Sequence, residues 1–172
     1  ICHVFVVPLQ RFYVNYRKQR NLKLVNYRIM TQVKTFDPRV LELVLMDQKA
    51  ELDAKREHRL CARPEEALVD LNSTQAQVVI GVRRSGKSTL CFLALEHAGV
   101  HYAYVDFDDE RLKGLQAEQL NDVLEVLYKI YGNFQYLFLD EIQDIDGWHL
   151  FVNRMLRMNM HVIVTGSNAK LL

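Results

Sequence analysis

The run Gly81-Val82-Arg83-Arg84-Ser85-Gly86-Lys87-Ser88 satisfies G-x-x-x-x-G-K-[ST] at every fixed position. Each element of that pattern answers a physical demand made by a polyphosphate. Glycines let the backbone curl so that successive N–H groups point inward without a Cβ clash. A helix that follows presents its unpaired N–H groups and the positive end of its dipole to the same anion. Lys87 supplies a cation for the β- and γ-phosphates, and the Ser88 hydroxyl is a hard oxygen ligand for Mg²⁺. Thr89 completes the expected nucleotide-binding set.

A second run, Tyr136-Leu137-Phe138-Leu139-Asp140-Glu141, is an apolar strand that ends in two carboxylates. At the carboxyl edge of a parallel sheet such groups face the ligand crevice. Asp140 is then expected to hold Mg²⁺ through a coordinated water, and Glu141 to accept a proton from the attacking water or to orient it. Taken alone, an acidic strand end is ordinary polar termination. The phosphate loop two helices and one strand upstream, an interval expected of a neighbouring strand of the same sheet, gives the pair its chemical context, with ATP and Mg²⁺ as the implied ligands.

The elements needed to position these residues are visible in the pattern. Gln77–Ile80 is a short β-branched strand before the loop, and a helix is expected over Lys87–His97. His101–Phe107, Phe134–Leu139 and His161–Val164 read as three further strands. Leu120, Val123, Leu124, Leu127 and Ile130 mark an amphipathic helix that Gly132 could end. Asp146 is a candidate cap for a helix whose buried stripe is Trp148, Phe151, Val152 and Met155. The alternation predicts an α/β fold, a P-loop NTPase-like parallel sheet with flanking helices, ending after its fourth core strand. Upstream, Asp37-Pro38 opens a helix expected to run to about Glu57, and a short helix is expected at Pro64-Glu65-Glu66. The domain plan is therefore an extension over 1–29, a helical segment over 30–75 and an ATPase core over 76–172.

The formal net charge of +1 hides an asymmetry. Residues 1–29 hold six Lys or Arg and no acid, leaving the remainder at −5. The first Met is Met30, so this basic leader is expected to be an upstream extension; the alternative is a basic arm with Phe12, Tyr13 and Tyr16 that touches nucleic acid. Cys2, Cys61 and Cys91 show no metal-ligand spacing and suit reduced cytoplasmic thiols. No apolar run reaches membrane-spanning length.

Taken together, the motifs resemble the AAA-type branch of P-loop ATPases, in which the catalytic glutamate directly follows the Mg²⁺ aspartate. The phosphate loop, Phe107-Asp108-Asp109-Glu110-Arg111-Leu112, Leu139-Asp140-Glu141-Ile142-Gln143 with Trp148, and Thr165-Gly166-Ser167-Asn168 are similar to one bacterial and archaeal family. Its members join an AAA-type core to a poorly characterised C-terminal domain. The resemblance covers about Leu45 to Leu172. It implies that Asn168 is the polar sensor between the phosphate loop and the acidic strand, with Thr165 or Ser167 as the alternative. It also implies a further strand beside Gln77–Ile80, without which that edge would be exposed and the chain poorly soluble.

The reading that follows is Mg²⁺-dependent ATP hydrolysis, coupled in a longer protein to rearrangement of a protein or nucleic-acid partner. Self-association of that longer protein is expected to complete the site, which in this stretch has no assigned arginine finger. Two rivals stand beside it: a P-loop kinase, and a nucleotide-gated scaffold without turnover. Arg83 and Arg84 would add positive field at the loop or simply be solvated, Arg111 would pair with an acid or a polynucleotide, and Gln143 is expected to face solvent, the alternative being a link between ATP state and a partner surface.

Overall fold

A computed structural model describes residues 5–8, 36–57 and 61–167. Its elements are β1 (Phe5–Pro8), α1 (Pro38–Glu57), β2 (Gln77–Gly81), α2 (Lys87–Ala98), β3 (Tyr102–Asp106), α3 (Leu120–Tyr131), β4 (Tyr136–Asp140), α4 (Trp148–Arg157) and β5 (His161–Ser167). A 3₁₀ turn at Pro64–Leu68 stands where a short helix was expected. The strands form one sheet in the order β1-β2-β5-β4-β3. The four strands β2 to β5 are parallel, as the α/β alternation predicts.

Both faces of that sheet are covered, which is why its strands are apolar almost throughout. Val78, Ile80, Ala103, Val105, Leu137, Leu139, Val162 and Val164 face a core shared with α1, α3 and α4. The alternate residues Val79, Tyr102, Tyr104, Phe138 and Ile163 face α2. The stripe Trp148, Phe151, Val152 and Met155 is buried as its spacing predicts. Gly132 ends α3 with φ 70°. Asp146 does not cap α4; Gly147 holds the N-cap in the left-handed region at φ 85°, a conformation that an aspartate side chain there would adopt only with strain.

Two expectations about strand neighbours are corrected. The acidic strand β4 is not beside the phosphate-loop strand β2, because β5 lies between them and pairs with both. The edge of β2 is not bare: β1 pairs with it antiparallel, Phe5 opposite Ile80 and Pro8 opposite Gln77. Strand addition pairs the backbone groups of β2 that were expected to be bare, and the edge of the sheet passes to β1. Pro8 is the last residue of β1, an edge strand, which is where a sheet tolerates proline. Of the candidate nucleic-acid arm over residues 1–29, only 5–8 are described, as β1; its basic residues and Phe12, Tyr13 and Tyr16 lie outside the described residues.

The opposite edge is closed by a side chain. Gln48 of α1, buried, accepts from Asp106 N–H at 3.0 Å and donates to Asp106 C=O at 3.0 Å and to Asp109 Oδ2 at 3.2 Å. Its amide acts as one residue of an extra strand at the end of β3. Gln48→Leu should leave the Asp106 N–H and C=O buried and unpaired, and lower stability by about 2–4 kcal/mol, read as a fall in the urea midpoint. An unchanged midpoint would show that the edge is satisfied some other way.

Candidate functional site

The carboxyl ends of β2, β4 and β5 converge with the start of α2. β2 ends at Gly81, and a turn closed by Ser85 N–H to Val82 C=O at 3.2 Å leads into the helix. Arg84 and Gly86 both have positive φ, 61° and 83°. These left-handed residues turn the loop back on itself, which is how consecutive N–H groups come to share one concavity. Gly86 is the N-cap of α2, and Lys87 and Ser88 open its first turn, with Thr89 following.

Lys87 is buried at 4% exposure, so its ammonium needs partners. Nζ donates to Val82 C=O at 3.3 Å and lies 3.3 Å from Glu141 Oε1. The phosphate-loop cation and the expected general base thus form an ion pair. Ser88 Oγ donates to Asp140 Oδ1 at 2.9 Å, bridging the loop to the end of β4. Ser85, also buried, has an Oγ without a partner among the described residues.

Asp140 is 3% exposed and no Lys or Arg among the described residues pairs with it. Its carboxylate is met by hydroxyls: Ser88 and Thr165 on Oδ1, and Tyr104 on Oδ2 at 3.2 Å. Burial pushes its pKa above the ordinary carboxylate range, the Thr165 and Ser88 hydrogen bonds pull it back, and the Glu141 charge raises it further. Asp106, opposite Asp140 in the β3–β4 register, is pushed up to about 6 by burial and then by Asp140 itself. A buried carboxylate beside a hydroxyl, short of cations, is a donor set suited to Mg²⁺, which takes one or two protein oxygens and completes its shell with phosphate and water. Among the described residues there is no cluster of three or more His, Cys, Asp or Glu side chains able to hold a metal by themselves.

Glu141 adopts φ 53°, a left-handed conformation unusual for a non-glycine residue. Its N–H donates to Thr165 Oγ1 at 3.1 Å. Its Oε2 accepts from Gln143 Nε2 at 2.6 Å and from Ser167 N–H at 3.1 Å. Gln143 therefore does not face solvent as expected. It is half-buried, holds Glu141, and keeps its own Oε1 buried without a partner. The left-handed turn at Glu141 folds the following residues back onto the carboxylate, a feature that no residue-type signal announces.

Thr165, fully buried, joins Asp140 and Glu141 through one hydroxyl. Of the three sensor candidates, Thr165 and the Ser167 backbone reach the acidic pair, while Asn168 lies outside the described residues. Arg83 pairs with Asp108, and Arg111 with Asp47 at 2.7 Å and Asp109 at 2.9 Å. That second bridge holds the Asp109 carboxyl down at about 2. Arg111 is thus spent on a structural ion pair. Trp148 is a core anchor.

An uncharacterized protein of Methanocaldococcus jannaschii is 31% identical over 151 residues, 87% of this chain and 33% of that protein. An uncharacterized protein of Haemophilus influenzae is 31% identical over 106 residues, 56% of this chain and 26% of that protein. The chain spans about a third or less of the length of these relatives. No solved structure matches significantly. Among the described residues no helix is long and apolar enough to cross a membrane. A family model described as an AAA domain matches residues 73–172, more than half of the sequence and all of the elements that build the site, and the chain belongs to that AAA-type ATPase family as an ATPase-like nucleotide-binding domain.

Proposed function

We propose that the chain binds ATP with Mg²⁺ on Gly81–Thr89 and hydrolyses it. The observation that carries this reading is the Ser88 hydroxyl within 2.9 Å of Asp140 Oδ1, which brings two hard oxygens from separate motifs to one point. Ser88 and Asp140 would hold Mg²⁺, the latter through water. A metal ion bound there polarises phosphoryl oxygens and offsets charge that builds on them.

The protein's own groups do the rest. The loop N–H groups and the α2 N-terminus bind the phosphates, and Lys87 exchanges Glu141 for phosphate oxygens. Glu141 Oε1 is released by that exchange, whereas Oε2 stays held by Gln143 and the Ser167 N–H. The free oxygen accepts a proton from water as the water oxygen bonds to the γ-phosphorus. The bond from that phosphorus to the β–γ bridging oxygen breaks, and ADP leaves with the electron pair. In the longer protein a further C-terminal domain and a partner, protein or nucleic acid, would use the resulting change of state. A neighbouring copy of that protein would contribute the cation which strongly accelerates phosphoryl transfer.

Incubation with ATP and Mg²⁺, without any acceptor, should give measurable binding and slow phosphate release. Transfer that occurs only with a small-molecule acceptor would identify a kinase. Binding with no release, in the longer protein as well, would identify a nucleotide-gated scaffold. No binding at saturating ATP would remove the phosphate cradle itself.

A further inference from the structure

Gly86 has a neighbour that none of the motifs above predicts. A Cβ placed on it would lie 2.6 Å from Arg63 Nη1, 2.9 Å from Nη2 and 3.1 Å from Cζ. The whole guanidinium therefore stands in the space left by the missing side chain, beside the N-cap of α2. Arg63 arrives there from just before the Pro64–Leu68 turn. Its N–H donates to Glu66 Oε1 at 2.7 Å, and Glu66 N–H returns to Arg63 C=O at 3.1 Å. Glu66 Oε2 lies 2.7 Å from His97 Nδ1, pinning the turn near the far end of α2.

This placement is electrostatically unfavourable as it stands. The N-terminus of a helix carries partial positive charge and disfavours a cation. Lys87, one residue on, has a carboxylate partner in Glu141, but the Arg63 guanidinium makes no hydrogen bond or ion pair with any described residue. Glu66, three residues on, attracts the Arg63 charge without a direct contact, its oxygens being engaged by the Arg63 N–H and His97. A helix end, a buried lysine and an uncommitted arginine around one glycine form a cluster of positive charge that an anion would resolve. The loop N–H groups at this point of the motif cradle α- and β-phosphates.

We infer that Arg63 is a nucleotide-binding residue, whose guanidinium contacts the α- and β-phosphates of a nucleoside di- or triphosphate held on the loop. The inference rests on the phosphate-cradle reading of Gly81–Thr89 and adds to it a group from outside the motif. It also gives Gly86 a second requirement beside its positive φ, because any side chain there would evict the guanidinium.

The test is a comparison of ADP and ATP affinity, by calorimetry, in the wild-type chain and in Arg63→Ala, Arg63→Lys and Lys87→Ala. Arg63→Ala should weaken both nucleotides equally, by about 10- to 100-fold, the range for a charge-assisted contact to phosphate. Arg63→Lys keeps the charge without the planar fork and should fall between. The salt dependence of binding should shrink in Arg63→Ala, and the melting temperature without nucleotide should not fall, because the side chain is exposed and makes no direct contact that would be lost. A merely structural arginine would move the melting temperature and not the salt dependence. Wild-type affinity in Arg63→Ala, with Lys87→Ala impaired, would overturn the inference and leave the cradle standing. Loss confined to ATP would overturn the α/β assignment, and tighter binding would make the guanidinium a plug. Failure of the wild type to bind either nucleotide would overturn the cradle and this inference together.

Discussion

Lys87→Ala should lose ATP affinity by about 10²- to 10³-fold while the fold survives. The size follows from what the ammonium does. In the free chain it is buried against Val82 C=O and Glu141. In the bound state it would meet two phosphate oxygens in the same dry surroundings, each contact being a charge-assisted hydrogen bond of about 1.5–3 kcal/mol. The exchange is not free, since the pair with Glu141 is given up, so the net effect falls short of the two contacts summed. Alanine also strands the Glu141 carboxylate, half-buried and tied by Gln143, without its cation. That should cost the free protein about 1 kcal/mol, visible as a small fall in melting temperature. Titration with a fluorescent ATP analogue, alongside circular dichroism, separates the two effects. Normal affinity in Lys87→Ala would mean that the loop is not where the triphosphate binds.

What could be read from the sequence was what depends on a few neighbouring residues. Gly86 and Lys87 declare themselves because a left-handed N-cap and a buried cation at a helix start are local requirements of phosphate binding. Asp140 and Glu141 could be read because an apolar strand ending in two acids follows a phosphate loop, which gives an otherwise ordinary polar strand end its context. Sheet alternation and helix stripes were legible for the same reason, so the four parallel strands and α2, α3 and α4 could be placed to within a few residues.

What stayed hidden depends on strand order and on backbone conformation. Thr165 could be named only as an alternative to Asn168 among the polar residues that end β5. Its role appears only once β5 is inserted between β2 and β4, which brings its hydroxyl onto Asp140 and the Glu141 N–H. Gln143 reads as a surface amide until the left-handed Glu141 turns it inward. Gln48 sits on the polar-looking part of α1, yet the partners of its amide lie 58 and 61 residues away. Pairing of β1 with β2 is likewise set by contacts distant along the chain, where periodicity carries no information. Arg63 belongs to this group: only the space above Gly86 marks it out.

Glu141→Gln should slow hydrolysis by about 10²- to 10⁴-fold, the range for a positioned general base, without weakening ATP binding. A small rise in affinity is the sharper expectation. Wild-type Lys87 must leave Glu141 before it can reach phosphate. A glutamine at 141 can still accept from Gln143 and the Ser167 N–H through its carbonyl oxygen, so the loop geometry is kept, while its neutral amide offers Lys87 no ion pair. The lysine is then free for the nucleotide from the start, and affinity should rise by a few-fold, a fraction of the energy of a partly buried ion pair. Rate and affinity thus move in opposite directions, which loss of folded protein cannot imitate. Single-turnover phosphate release measured beside equilibrium titration reads both quantities. If Glu141→Gln hydrolysed ATP at the wild-type rate, the base would lie elsewhere, and the Lys87–Glu141 pair would be a structural bridge alone.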